Sequence, residues 1–130
     1  MELPFNAEAE KQVLANMIFS SDMLVETFSR LSEEDFYVTA HRIIFKTLKD
    51  IFDNNKAKVE PYVLIDRLSV EGNLDKIGDA SYILELVSSY IDIANATYYI
   101  NSVEEKAVLR KLITCADNIV KKWNVESSGD

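Results

Sequence analysis

The longest uninterrupted periodic stretch of the chain constrains everything that precedes it. Residues 95–123 contain neither proline nor glycine, and Val103, Ala107, Leu109, Leu112, Ile113, Ala116, Ile119, Val120 and Trp123 recur at spacings of three and four. That is the period of an α-helix with a broad apolar face. At 1.5 Å per residue such a helix is roughly 40 Å long, more than one domain of 130 residues covers. The spacing therefore predicts a last helix whose far end projects and needs a partner.

The preceding residues read as shorter helices. Asn6 is placed to cap a helix with Glu8 in its first turn and Ala9, Val13, Leu14, Met17 and Ile18 on one face. Ser20-Ser21-Asp22 interrupts the pattern and offers caps for a second helix carrying Met23, Leu24, Val25, Phe28 and Leu31. In Leu31-Ser32-Glu33-Glu34-Asp35-Phe36, Ser32 and Asp35 have capping-box spacing and Leu31 and Phe36 stand at the staple positions. Thr39 is expected to cap a helix through Ile44, Phe45, Leu48, Ile51 and Phe52, with the polar run 53–58 as loop. Pro61 suits the first position of a helix bearing Val63, Leu64, Ile65 and Leu68, and Gly72 suits its end. Residues 72–81 read as a polar connection anchored by Leu74 and Ile77. Asp79 or Ser81 then caps a helix with Tyr82, Ile83, Leu86, Val87 and Tyr90 inward. Residues 91–94 read as a short extended link, and Asn95 caps the long helix. No stretch alternates as a strand would. The expected fold is all-α: a compact six-helix orthogonal bundle with a long, partly projecting C-terminal helix. Phe28, Phe36, Phe45, Phe52 and Tyr82 are its expected core aromatics. Of Tyr98 and Tyr99, adjacent in a helix, only one can face inward. Residues 1–123 form the domain, and 124–130 read as linker or frayed end.

Composition limits the chemistry. Hydrophobic residues make up 48% of the chain, enough for a core without disulfides, and the single cysteine, Cys115, cannot form one internally. There is one histidine, His41, and no Cys/His cluster able to hold zinc. The run 53–58 lacks the glycine and glutamate of a calcium loop, and Gly72 and Gly78 lack the strand and Gly-Lys-Ser/Thr of a phosphate cradle. No catalytic, cofactor or metal residues are assigned. An enzyme would need His41 gathered with two carboxylates in a pocket; without that, a helical interaction module is the expected class. A formal charge of −8 argues against broad nucleic-acid binding. The charge is uneven: residues 1–36 set eight carboxylates against Lys11 and Arg30, whereas 101–125 hold five basic residues. No apolar run is long enough for a membrane span and no signal peptide opens the chain, so a cytoplasmic protein is expected.

These residues also carry a family resemblance. Pro4-Phe5-Asn6-Ala7-Glu8-Ala9-Glu10-Lys11-Gln12-Val13-Leu14 resembles the P-x-[NS]-x-E-A-E-x-x-V-L opening of bacterial replicative DNA helicases of the DnaB family. Leu31-Ser32-Glu33-Glu34-Asp35-Phe36-Tyr37 with His41-Arg42-Ile43-Ile44-Phe45 resembles that family's L-x-x-x-D-F-Y…H-[RQ]-x-I-F signature. Gly72-Asn73-Leu74, Ile77-Gly78-Asp79 and Tyr82-Ile83 are similar to its G-x-L…[VI]-G-G…Y-[LI] stretch. Asn95 to Ile113, with Tyr99, Lys106, Arg110 and Leu112 in place, is similar to the start of its helical hairpin. The matches run in order from residue 4 to about residue 120.

The resemblance implies the helical N-terminal domain of a replicative helicase. In that family six copies form a collar, a trimer of dimers, which supports hexamer assembly. The collar contacts the C-terminal domain of primase and, in some systems, the helicase loader. The long helix would be one arm of a dimerisation hairpin, making Leu112, Ala116, Ile119, Val120 and Trp123 the candidate subunit interface; His41 and Asp35 would be fold residues. ATP and magnesium would belong to the ATPase domain that follows in the family. This chain lacks that domain's P-loop, so it is expected neither to hydrolyse ATP nor to unwind DNA. Single-stranded DNA would be met only in the full ring. Two departures stand out: Glu60-Pro61-Tyr62-Val63-Leu64 replaces the usual Asp-x-[VI]-[TS]-[LV], affecting a cap, and Asp79 replaces the second glycine, affecting a turn. The alternative reading is a free-standing helical adaptor or loader-type protein. The coding sequence beyond Asp130 discriminates: a stop codon favours the adaptor, a linker and P-loop the helicase.

Overall fold

Helix α1 (Ala7–Phe19) is the element the others enclose. Asn6 caps it, its Oδ1 accepting from the Ala9 backbone N–H at 3.0 Å. Nearly the whole helix is buried, including the polar Glu10, Gln12 and Asn16. The computed structural model describes residues 2–56, 58–89 and 93–128. A single residue links α1 to α2 (Ser21–Arg30): the Ser20 N–H donates to the Asn16 carbonyl, closing α1, while its Oγ accepts from Met23 N–H, opening α2. One serine thus serves both termini, which fixes the tight hairpin expected from the sequence.

Residues Glu33–Asp35 form one 3-10 turn, with the Ser32 N–H donating to Asp35 Oδ2 at 2.8 Å. Leu31 and Phe36 on either side are buried. Helix α3 (Thr39–Asn55) follows. Two expectations fail here. Thr39 is the first helical residue rather than the cap, which falls to Val38 without a side-chain hydrogen bond. The helix also continues three residues beyond Phe52, because a polar run on a solvent face does not oppose helix. Lys49 and Asp53 pair one turn apart at 3.1 Å, and termination comes only where Lys56 turns left-handed at φ 55°. Val59, just after, is a core residue the sequence did not single out.

Helix α4 (Pro61–Val70) starts on Pro61, and Glu60 before it makes no side-chain cap. It ends as expected at Gly72, φ 73°, where Asn73 N–H donates to the Leu68 carbonyl at 2.8 Å. The supposed connection 72–81 contains a single helical turn, α5 (Leu74–Ile77), which buries Ile77. It is the addition that makes seven α-helices among the described residues. Helix α6 (Ala80–Ser88) is capped by Asp79, whose Oδ1 accepts from Ser81 N–H at 2.7 Å. Asp79 sits at φ 76°, ψ −176°, a region that glycine occupies freely and other residues occupy under strain. The glycine expected by family resemblance is therefore missing at a position whose backbone asks for one. Tyr90 and the link at 91–92 lie outside the described residues. Among the expected core aromatics, Phe36 and Phe45 are buried, and Phe28, Phe52 and Tyr82 pack on the core from its edge.

A 3-10 turn (Ile93–Asn95) leads into α7 (Ala96–Ser128), 33 residues long, roughly 50 Å. Tyr98 points to solvent and Tyr99 packs on the core. The helix passes Trp123 without a break and reaches Ser128. Residues 124–128 lack apolar periodicity but contain no helix breaker, so they continue a helix already nucleated.

Candidate functional site

Two features of the fold are candidates: a buried polar cluster and the outer surface of α7. The cluster centres on His41, in the first turn of α3 and about 1% exposed. Its Nδ1 lies 2.8 Å from Glu10 Oε1, and its Nε2 lies 2.6 Å from the Tyr82 hydroxyl. The Glu10 carboxylate also accepts from the Tyr37 N–H at 2.8 Å and the Val38 N–H at 3.2 Å. An Nδ1–H tautomer satisfies every contact: the imidazole donates to Glu10 and accepts from Tyr82. Burial, then Glu85, Glu10 and Glu8, pushes the Tyr82 hydroxyl up to about 12, so it stays a proton donor. The cluster ties α1, α3 and α6 together where the chain turns at Phe36.

His41 meets one carboxylate rather than two, and neither it nor Glu10 lines any of the three surface clefts described. Both side chains are at most 2% exposed. The best enzyme candidate in the sequence is thus lost to packing.

A second knot anchors the start of the projecting helix. Arg110, 8% exposed, donates from Nη1 to the Pro4 carbonyl at 3.0 Å and from Nη2 to the Asp35 carbonyl at 2.7 Å. Its guanidinium lies 5.3 Å from the Tyr37 ring centre, and Tyr37 stacks on Phe5 at 4.5 Å. Asp35 therefore serves the fold twice, by its carboxylate at Ser32 and its carbonyl at Arg110. Arg30 adds a third tie, from α2 to Asn101 and Glu104 on α7.

Sequence reasoning missed Glu10 and Arg110 as structural keys, although both carry a signal. Glu10 precedes Val13, Leu14 and Met17 by three, four and seven residues, so a carboxylate occupies an apolar-stripe position. Arg110 follows Val103 and Ala107 by seven and three, on the core stripe of α7. A charged side chain in such a register is either an error of pattern or a buried tie.

Beyond Arg110, none of the described residues of α7 is buried. The single broad apolar face expected from the spacing is in fact two. Ala96, Ile100, Val103, Ala107 and Arg110 face the body and are buried. Leu112, Ala116, Ile119, Val120 and Trp123, with Val108 and Leu109, lie roughly half a turn away at 3.6 residues per turn. All seven are exposed, Leu112 by 61%, Ile119 by 63% and Trp123 by 66%. An outward apolar stripe running over about four turns is more than isolated surface hydrophobics explain. The candidate interface residues are thus gathered on one accessible face.

Comparison with known proteins decides the family. Residues 2–105 match the model of the DnaB-like helicase N terminal domain. The chain belongs to this family. The DnaB likeness is also seen against individual relatives: the chain is 36% identical over 118 residues to the replicative DNA helicase DnaB of Geobacillus stearothermophilus, and 32% over 118 residues to that of Mycobacterium leprae. Each alignment covers 91% of this chain but only 26% and 19%, respectively, of the relative. The chain thus spans a fifth to a quarter of the helicases it resembles. The crystal structure of the N-terminal domain of DnaB helicase from Mycobacterium tuberculosis superposes with a TM-score of 0.89 at 30% identity, covering 97% of this chain and 89% of that one. The DnaB-type signature residues now have physical roles: Glu10, His41 and Tyr82 form one buried tie, and Asp35, Tyr37 and Arg110 the other. Among the described residues, no helix of this DnaB-family domain is long and apolar enough to cross a membrane.

Proposed function

We propose that this chain is the protein-interaction and assembly domain of a replicative DNA helicase. Its role is to pair with a second copy within a trimer-of-dimers collar that supports hexamer formation. The observation that carries this reading is the outward stripe of Leu112, Ala116, Ile119, Val120 and Trp123, presented on a helix fixed to the body through Arg110. Fully burying each large side chain of the stripe is worth about 1.5–3 kcal/mol, enough in sum to offset part of the entropy lost on association. In this reading the setting is a cytoplasmic replication machine, which family membership supports.

The same reading assigns the collar a contact with the C-terminal domain of primase and with a helicase loader. Nucleotide, magnesium and single-stranded DNA are left to the ring and its ATPase domain. This domain contributes assembly and docking rather than chemistry. The primase assignment is tested by titrating the cognate primase's C-terminal domain against the full-length parent helicase. Saturable binding is expected; its absence removes primase from the list of partners.

A further inference from the structure

The arm has a second usable side, which meets the pairing stripe only at Ile119. Between the distal part of α7 and the body runs a cleft of about 600 Å³. Tyr37, Ala107 and Ile119 contribute apolar surface to it, and Arg42, Lys111 and Lys122 contribute cations. Its one carboxylate, Glu34, already accepts a hydrogen bond from Ser32 Oγ at 3.0 Å. Lys111 approaches the Asp35 carboxylate only to 4.0 Å. Lys111 and Lys122 are eleven residues apart, three helical turns, so both stand on the same side of α7 about 16 Å from each other. The inner wall is rigid, because Arg110 stacks on Tyr37 and is held by two carbonyls.

An apolar trough edged by cations is unusual on a chain of formal charge −8. From that charge complementarity we infer that the cleft is a docking groove for an acidic amphipathic helix of a partner protein, laid alongside α7. A helix fits because the trough follows about three turns of α7, whose side-chain rows offer grooves for an apolar ridge. Carboxylates three turns apart on the partner would meet Lys111 and Lys122. A second copy of this chain is a poor occupant. Among the described residues, its helix with a long exposed apolar stripe is α7, which over residues 106–122 sets Lys106, Arg110, Lys111, Lys121 and Lys122 against Asp117 alone, itself paired with Lys121 at 2.8 Å, and would bring like charge to like. This goes beyond the pairing role, which is centred about a third of a turn away on the arm and shares only Ile119 with the cleft.

The test uses the 130-residue chain and two fluorescent helical peptides of about four turns, both with leucine on one face, one with glutamate and one with lysine on the other. The acidic peptide is expected to bind, more weakly as salt rises, and the basic one not to bind. Lys111→Glu with Lys122→Glu should weaken acidic-peptide binding by about tenfold or more; circular dichroism checks folding, and the Lys→Gln pair should give a smaller loss. Leu112→Asp, on the pairing stripe, should leave peptide affinity unchanged, so failure here is separable from failure of the assembly role. The inference is overturned if the acidic peptide does not bind, if the basic peptide binds equally, or if Lys111→Glu with Lys122→Glu leaves binding intact. It is also overturned if that double substitution abolishes self-association, which would make a second copy the occupant.

Discussion

Glu10 Oε1 and His41 Nδ1 lie 2.8 Å apart, both side chains at most 2% exposed, although 31 positions separate them in sequence. The pair holds the first turn of α3 against α1, and the remaining acceptor capacity of Glu10 holds the Tyr37 and Val38 amides. Replacing Glu10 by alanine leaves those amides and the imidazole without an acceptor. The expected loss is about 3–5 kcal/mol of unfolding free energy, read from urea denaturation. Glu10→Gln, which keeps one acceptor, should cost less. A loss below about 1 kcal/mol for the alanine variant would contradict the role given to the pair.

Arg110 depends on its planar fork, since one guanidinium reaches two carbonyls from different segments. Lysine keeps the charge but not that geometry. Arg110→Lys should destabilise by about 1–3 kcal/mol and speed amide exchange at Phe5 and Tyr37 more than in α4. Unchanged exchange at both residues would show that the anchor lies elsewhere.

Asp79 couples a favourable cap to an unfavourable backbone. Glycine relieves strain of about 1–3 kcal/mol and costs only a few tenths as a cap, offset further by the unfolded-state entropy that glycine adds. Asp79→Gly should raise the thermal midpoint by a few degrees. Asp79→Ala, which keeps the strain and loses the cap, should lower it. A lower midpoint for the glycine variant would contradict the strain assignment. The Ser81 hydrogen bonds hold the Asp79 carboxyl below the usual carboxylate range. Its contribution is therefore present above the unfolded pKa and fades as pH falls through the depressed one.

Tyr82 acts at the opposite end of the pH scale. Its hydroxyl is raised to about 12, chiefly by burial, so its contribution is complete below pH 10, the ordinary value. It is lost as pH rises from there towards 12. Unfolding in urea at pH 9 and pH 11 should show wild type losing more stability than Tyr82→Phe, which lacks the ionisable group. Equal losses would place the alkaline sensitivity on other tyrosines.

Much of this architecture is legible in the sequence because it is local. Asn6, Ser20 and Gly72 end or begin helices through bonds spanning a few residues, and Leu64, Leu68, Ile83 and Leu86 follow the helical period into the core. What stayed hidden is what the chain assembles from afar. Glu10 finds His41 only because α1 and α3 cross, and Arg110 finds Pro4 across 106 positions. Periodicity in α7 could not distinguish a broad face from two opposed ones, since only the body decides which residues it covers. The end of α3 lies beyond the expected one for a related reason: polar residues mark solvent exposure, which an outer helical turn and a loop share.

Pairing through the outward stripe of α7, as proposed, is tested most directly by sedimentation velocity of a DnaB-type helicase carrying this domain. Wild type is expected to sediment as a closed ring, and the variant carrying Leu112→Asp with Trp123→Asp as smaller species, because two exposed positions of the proposed pairing face would then carry charge into that contact. An intact ring with an unchanged sedimentation profile for the double variant would contradict the account.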